Sequence, residues 1–489
     1  MGTTSTAIAT LTVLAVISAA CASDESVAEP VESSATVTTV AGAVETDAPT
    51  TEATTTLPPR GWIDAEPDWR GASAVGADDR AMSSVDVVEE AASDGAAERA
   101  SFDEDASVEA AVVEPDIEEE PCVDCDVADD SPLRAGSVDD NADFVGFLEY
   151  LDRLDGIGIE RREFDPTGRS IVTVRGDAGE PIAGMPVIAE GDGLSASLRT
   201  TADGTIRFHP AAYGMAVDAD ISYTVQVPDA EPMVAPAGTD VHLTTGSVDV
   251  AGPVPLDVLF LLDATGSMGD EIDRLKTTID TVAERITALD PAPDVRFAMT
   301  LYRDVGDAFV VATYDFTGDV ETFQAALDEV VADGGGDYPE ALDEGLAAAF
   351  SEPTWRDPSE AVQLVFVVAD APPQVERQVD VPYTDSIRTA IERGVKIFPI
   401  ASSESDDQAE VVFRQLAQAT GAPFVFLSNG AAGASVGEST DIASTDYEEL
   451  SLDELVVRLV AEELADLDAD GDVTVPTTTS PPTTNPEGQ

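Results

Sequence analysis

Asp263, Thr265 and Ser267 occupy alternate positions in "LDVLFLLDATGSMGDEIDRL", residues 256 to 275, where an apolar run stops and an amphipathic helix pattern begins. Three oxygen-bearing side chains on one short loop, with Gly266 free to turn the backbone between the two hydroxyls, are suited to converge on a common centre. Oxygen donors without Cys or His match a hard cation such as Mg²⁺, with Mn²⁺ or Ca²⁺ as alternatives. Mg²⁺ takes octahedral geometry at about 2.1 Å and keeps several waters. A coordination position then stays open, and a partner's carboxylate can fill it, which makes binding conditional on the metal. Two further stretches carry acids in comparable places. "QLVFVVAD" ends on Asp370, and "GGGDYPEAL" sets Asp337 on a glycine-rich loop just before a Pro-started helix.

The same residues have a plainer use, because Asp, Thr and Ser before a helix are ordinary N-caps. A helix N-terminus is also partly positive and repels cations, so only several converging carboxylates make a metal site there. Asp304 and Glu340 read as solvated or capping residues. The two histidines, His209 and His242, lie far from any nucleophile pattern, and Gly334-Gly335-Gly336 lacks the Lys-Ser/Thr of a phosphate-binding loop. No distinct general base accompanies Asp263, so the chain is expected not to be an enzyme, with metal-assisted hydrolysis as the weakest reading.

The elements that must position these side chains follow from periodicity. Apolar runs at 256–262, 295–301, 309–314, 362–369, 395–401 and 423–427 alternate with amphipathic segments near 270–289, 319–331, 340–350, 384–393, 408–419 and 452–466. Near-continuous Val, Leu, Ile and Phe in "VLFLL" and "VQLVFVVA" predicts strands buried on both faces. Residues 254 to 467 are therefore an α/β, doubly wound domain with a mainly parallel sheet. In such sheets ligands sit at the carboxyl ends of the strands, where Asp263 and Asp370 fall.

At these residues the chain resembles the von Willebrand factor A (VWA) domain, whose metal-ion-dependent adhesion site has the pattern Asp-x-Ser-x-Ser, a Thr from a second loop and an Asp from a third. The resemblance implies Asp263, Thr265, Ser267 and Asp370 as ligands, with Thr265 in place of the first Ser. The second loop offers Asp337 and no Thr, which adds one negative charge to the usual site. "YRD" at 302–304, the "GGGDxPE" loop and "YEELSLDELVVRLVAEEL" are similar to the A domain of alpha-kinase-linked proteins, but no kinase elements follow.

The rest of the chain points outside the cytoplasm. "MGTTSTAIATLTVLAVISAACAS" has an apolar core too short to span a bilayer, and residues 1–21 read as a signal peptide. It resembles a bacterial lipoprotein signal, which implies acylation at Cys21. Residues 22–138, rich in Ala, Ser, Thr, Pro, Asp and Glu, read as a long disordered acidic stalk. Cys122 and Cys125 in "EEEPCVDCDVADD" would close a small disulfide in that compartment; one CxxC is only half a zinc site. Residues 139–250 read as a short helix, "ADFVGFLEYLDRL", followed by a small β-sandwich of alternating strands. The latter resembles Ig-like carboxypeptidase-regulatory or surface-repeat domains, which implies a spacer or a binding module. Residues 468–489 are disordered by composition, and Asp468, Asp470 and Asp472 fit a calcium loop poorly.

With 97 acidic residues against 24 basic ones, the formal net charge is −73. Binding to nucleic acid or anionic lipid by charge alone is excluded. The expected function is metal-dependent binding of a protein or extracellular matrix ligand by an exported protein held to the membrane through a lipid anchor. The other reading is an envelope scaffold whose metal only stabilises the fold.

Overall fold

The computed structural model describes residues 132–467, apart from 219–221, 229, 247–251, 337, 403–404 and 429–435, together with 473–475. The expectations for Cys21, Cys122, Cys125, Asp337, the signal segment and the stalk up to 131 lie outside the described residues.

The chain begins with β1 (Arg134–Val138) and α1 (Phe144–Ile157). Seven short strands follow: β2 (Ser170–Arg175), β3 (Pro186–Gly191), β4 (Leu194–Arg199), β5 (Thr205–Phe208), β6 (Ser222–Gln226), β7 (Met233–Pro236) and β8 (Val241–Thr244). Next come β9 (Pro255–Asp263), α2 (Gly269–Thr287), β10 (Asp294–Tyr302), β11 (Val311–Thr317), α3 (Val320–Asp328) and α4 (Leu342–Ser351). The last part holds β12 (Val362–Ala369), α5 (Tyr383–Arg393), β13 (Lys396–Ala401), α6 (Asp407–Thr420), β14 (Phe424–Ser428), β15 (Leu450–Ser451) and α7 (Leu452–Ala465).

An eight-stranded sheet runs β11-β10-β9-β12-β13-β14-β1-β15. Its five central-to-flanking strands β10, β9, β12, β13 and β14 are parallel, while β11 and β1 run antiparallel to their neighbours. The unbroken apolar runs of β9 and β12 have a direct cause: alternate residues feed two cores. Val258, Phe260 and Leu262 of β9 join the core made with α2, α3 and α7, whereas Leu259 and Leu261 join the one made with α4, α5 and α6. Both faces are dry, so polar alternation is absent. The mostly parallel α/β sheet expected for this segment is thus present.

Strands β2 to β8 form a three-stranded sheet, β5-β2-β8, and a four-stranded one, β4-β3-β6-β7, with Val172, Val187, Phe208 and Tyr223 buried among them. Their turn at Asp203-Gly204 is tight. Gly204 has φ 70°, and Asp203 Oδ1 accepts from the Thr205 amide at 2.9 Å and its hydroxyl at 2.7 Å.

Two boundaries differ from the sequence reading. Residues 134–138, assigned there to the stalk, are β1, threaded between β14 and β15. The short helix, assigned to the β-domain, packs against α6: Arg414 hydrogen-bonds Asp140 at 2.9 and 2.6 Å and lies 3.8 Å from the Tyr150 ring centre. The signal was weak because "RAGSV" lacks apolar alternation. Its glycine is steric, since a Cβ at Gly136 would come within 2.8 Å of Tyr447 and 2.9 Å of Phe426. No helix among the described residues is long and apolar enough to cross a membrane.

Candidate metal centre

β9 delivers Asp263 to the carboxyl edge of the sheet, and the chain turns through a short 3-10 segment at 266–268 before α2. Asp263 is fully buried. Its Oδ1 accepts from the Thr265 amide at 2.9 Å and the Thr265 hydroxyl at 2.6 Å. Ser267 Oγ lies 3.0 Å from Thr265 Oγ1 and serves as donor to it, since the Thr265 proton is directed to Asp263. The three oxygens form one chain. None of them caps a helix: neither the 3-10 segment nor α2 has a side-chain cap hydrogen bond at its N-terminus. The capping alternative therefore does not account for these residues.

The other carboxylate oxygen, Asp263 Oδ2, is buried without a hydrogen-bond partner. The phenol of Tyr302, which closes β10 in register with Asp263, approaches this carboxylate without completing a well-aligned hydrogen bond. Burial and the repulsion of Asp370, at the end of β12, push the Asp263 carboxyl up to about 7. Burial, then the charges of Asp263 and Asp370, pushes the Tyr302 phenol well above its ordinary value.

The glycine loop docks on this centre through its backbone. Gly266 N donates to Gly334 O at 3.1 Å, and Asp333 N to Ala264 O at 3.0 Å. Gly335 has φ 65°, and a Cβ there would lie 2.6 Å from Glu340 Oε1 and 2.7 Å from Thr265 Cβ. Only glycine fits between them. The β10–β11 loop braces the assembly: Arg303 donates to Ala264 O at 3.0 Å and Val331 O at 2.7 Å, and Asp307 Oδ2 accepts from Asp304 N at 3.0 Å and Gly335 N at 2.9 Å. Gln374 ties in the third loop, donating to Asp304 Oδ1 at 2.7 Å and Pro339 O at 3.1 Å.

The structure thus brings together Asp263, Thr265, Ser267 and Asp370; Asp337 is outside the described residues. Three expectations are corrected. Asp304 is not solvated: it is 3% exposed and bonded to Gln374. Glu340 is neither solvated nor a cap: it is 3% exposed, with Oε2 buried and unpartnered. Burial and the neighbouring Asp263, Asp304, Asp370 and Asp307 push its carboxyl up to about 8. Pro339 does not start a helix; it follows a cis peptide from Tyr338, and α4 begins at Leu342. Glu340 was visible in "GGGDYPE", but its facing depends on the loop's path, which spacing does not report.

Among the described residues no three His, Cys, Asp or Glu side chains gather tightly enough to hold an ion by themselves. The donor set needs its hydroxyls. Two buried, unpartnered carboxylate oxygens, two hydroxyls and mutually repelling acids are nonetheless the environment that a hard divalent cation fits, because such an ion favours the charged carboxylates that burial opposes.

The family pattern of the von Willebrand factor type A domain matches residues 257–434, and this part of the chain is a VWA domain. Over 118 residues the chain is 31% identical to the alpha-protein kinase vwkA of Dictyostelium discoideum, a match covering 24% of this chain and 18% of that protein. The chain thus spans less than a fifth of the length of this curated relative. Among solved structures, proximal thread matrix protein 1 from the mussel byssus aligns with TM-score 0.25 and 17% identity, over 31% of this chain and 37% of that one. The pilus adhesin SpaC of Lactobacillus rhamnosus GG, in its open conformation, aligns with TM-score 0.31 and 10% identity, over 50% of this chain and 32% of that one.

Proposed function

We propose that the protein is an exported binding protein whose VWA domain holds a divalent cation, Mg²⁺ or a close substitute, and captures a protein or matrix ligand through it. VWA domains typically bind proteins. The observation that carries the metal is the Asp263 carboxylate, fully buried with one oxygen satisfied by Thr265 and the other by nothing. Asp263, Thr265, Ser267 and Asp370 hold the ion, and the ion supplies the coordination position that a partner's oxygen fills. The centre lies at the carboxyl edge of the sheet, where loops and not packed helices surround it. The "SAAC" signal supports export, with Cys21 as a lipid anchor. We propose no catalysis, because the histidines stand in the β-domain and His209 is wholly buried.

The test is retention of partners from envelope extract on the immobilised full chain, in Mg²⁺ or EDTA, beside Asp263→Ala. Partners retained only by the parent and only with Mg²⁺ are expected. Equal capture in EDTA and by the variant would move the assignment to a scaffold.

A further inference from the structure

We propose that Arg162 is a positioning residue for the metal-binding edge: from the segment joining α1 to β2 it clamps the loop that follows Asp370, so that cation binding and the seating of this segment are coupled. This rests on the metal-binding reading above and gives that site a control from outside the VWA domain.

The loop from 371 to 382 links β12 to α5 without helix or strand, so its backbone carbonyls must find partners elsewhere. Arg162 supplies two of them. Its Nη2 donates to Gln374 O at 3.3 Å and Arg377 O at 3.0 Å, and also to Asp343 Oδ2 at 2.8 Å, on a side chain with no exposure. Asp343 Oδ1 in turn accepts from the Tyr383 amide at 2.6 Å, where α5 begins. One guanidinium thus ties the loop to α4 and, through Asp343, to the start of α5.

The grip reaches the metal centre in a single further step. Gln374, held at its carbonyl by Arg162, donates from Nε2 to Asp304 Oδ1 at 2.7 Å and Pro339 O at 3.1 Å, and Pro372 O accepts from Glu340 N at 3.1 Å. These bonds join the loop after Asp370 to the other loops around Asp263. The segment bearing Arg162 is itself seated on both sides. Gln408 of α6 donates to Glu160 O at 2.7 Å, Arg162 N donates to Tyr383 Oη at 3.1 Å, and Phe164 meets the His209 ring of the β-domain edge-on at 5.6 Å. Preorganising the loop beside Asp370 lowers the ordering cost of taking up an ion. By linkage, a bound ion must favour the seated segment by the same factor.

The test uses the full chain with Mn²⁺ as the probe. Free Mn²⁺ is followed by electron paramagnetic resonance, and amide hydrogen exchange of 158–164 is followed with and without Mn²⁺. Arg162→Met strands the Asp343 charge in a dry site, so it is also made together with Asp343→Asn, which removes that charge. Both variants are expected to bind Mn²⁺ about tenfold more weakly than the parent. Loss of a positive charge by itself would tighten cation binding, so weakening in Arg162→Met has the sign that positioning gives and charge does not. Mn²⁺ should slow exchange at 158–164 in the parent and leave it unchanged in the variants. Parental Mn²⁺ affinity in either folded variant overturns the proposal and leaves the metal site intact, since Arg162 would then only hold the fold together. Exchange at 158–164 that is indifferent to Mn²⁺ in the parent overturns it as well. Equal weakening in Arg161→Met, which removes the same charge from a pair with Asp155 and not from the loop, would also overturn it. Absence of Mn²⁺ binding by the parent overturns the metal-binding reading itself.

Discussion

Asp263 is half satisfied: Thr265 serves Oδ1 with an amide and a hydroxyl, and Oδ2 has no partner. The sign of its effect on folding follows. Below about pH 4 the carboxyl is protonated in both folded and unfolded chains and contributes no difference. Between that value and about 7, where burial and Asp370 place the folded group, the unfolded chain ionises while the folded one keeps its proton, so stability falls as pH rises. Glu340, pushed up to about 8, acts in the same direction, and the two titrate as a coupled pair. In EDTA the parent is therefore expected to lose stability relative to Asp263→Asn between pH 5 and pH 8, as read by urea midpoints at both pH values. Mg²⁺ should abolish that divergence. Parallel behaviour of the two proteins in EDTA would mean that Asp263 is not under the strain described.

At the scale of elements, β1 is the part that reorganises the account of the domain. It pairs with five residues of β14 and two of β15, and Leu133 O accepts from Leu452 N at 2.7 Å at the start of α7. Asp140 then fixes the following turn to Arg414, whose side chain is 4% exposed. Asp140→Ala leaves that guanidinium short of one carboxylate in a dry site, and an equilibrium urea titration should show a loss of about 3 kcal/mol. A change within 0.5 kcal/mol, the ordinary range for surface sites, would contradict the view that this segment is integral. A fragment beginning after residue 250 would lack β1 and leave the edge of β14 open. The parallel strands were legible because burial on both faces leaves a continuous apolar run, and each of the six runs read from the sequence lies at a strand of the sheet. The helices followed from their 3.6-residue period. β1 was not legible, since a five-residue strand containing Gly136 depends on Tyr447 and Phe426, both distant in sequence. The convergence of Asp263, Thr265 and Ser267 was legible because they share one loop, and the burial of Glu340 was not, because it depends on a loop's path.

Over the whole molecule, the β-domain is fitted to the α/β domain and does not merely precede it. Lys396, 5% exposed at the start of β13, reaches Glu463 of α7 at 2.6 Å and Asp203 of the β-domain turn at 3.5 Å. This contact lies at the amino edge of the sheet, opposite the candidate centre, while Arg162, ahead of β2, reaches the loop after Asp370 through Gln374 O at 3.3 Å and Arg377 O at 3.0 Å. Charge acts at the same scale. A chain with formal net charge −73 repels itself, and at physiological salt that repulsion is screened over about 8 Å. At the candidate centre, Asp263, Asp370 and Glu340 repel one another locally, and a bound cation would relieve that repulsion. The most direct measurement is thermal unfolding of the full chain in Mg²⁺ and in EDTA, beside Asp263→Ala. An ion that binds only the folded state adds about 2.7 kcal/mol at a hundred times its dissociation constant. The account predicts a midpoint that rises with Mg²⁺ concentration in the parent and stays level in Asp263→Ala. Equal midpoints in Mg²⁺ and EDTA for the parent would contradict it, and the same rise in both proteins would place the metal elsewhere.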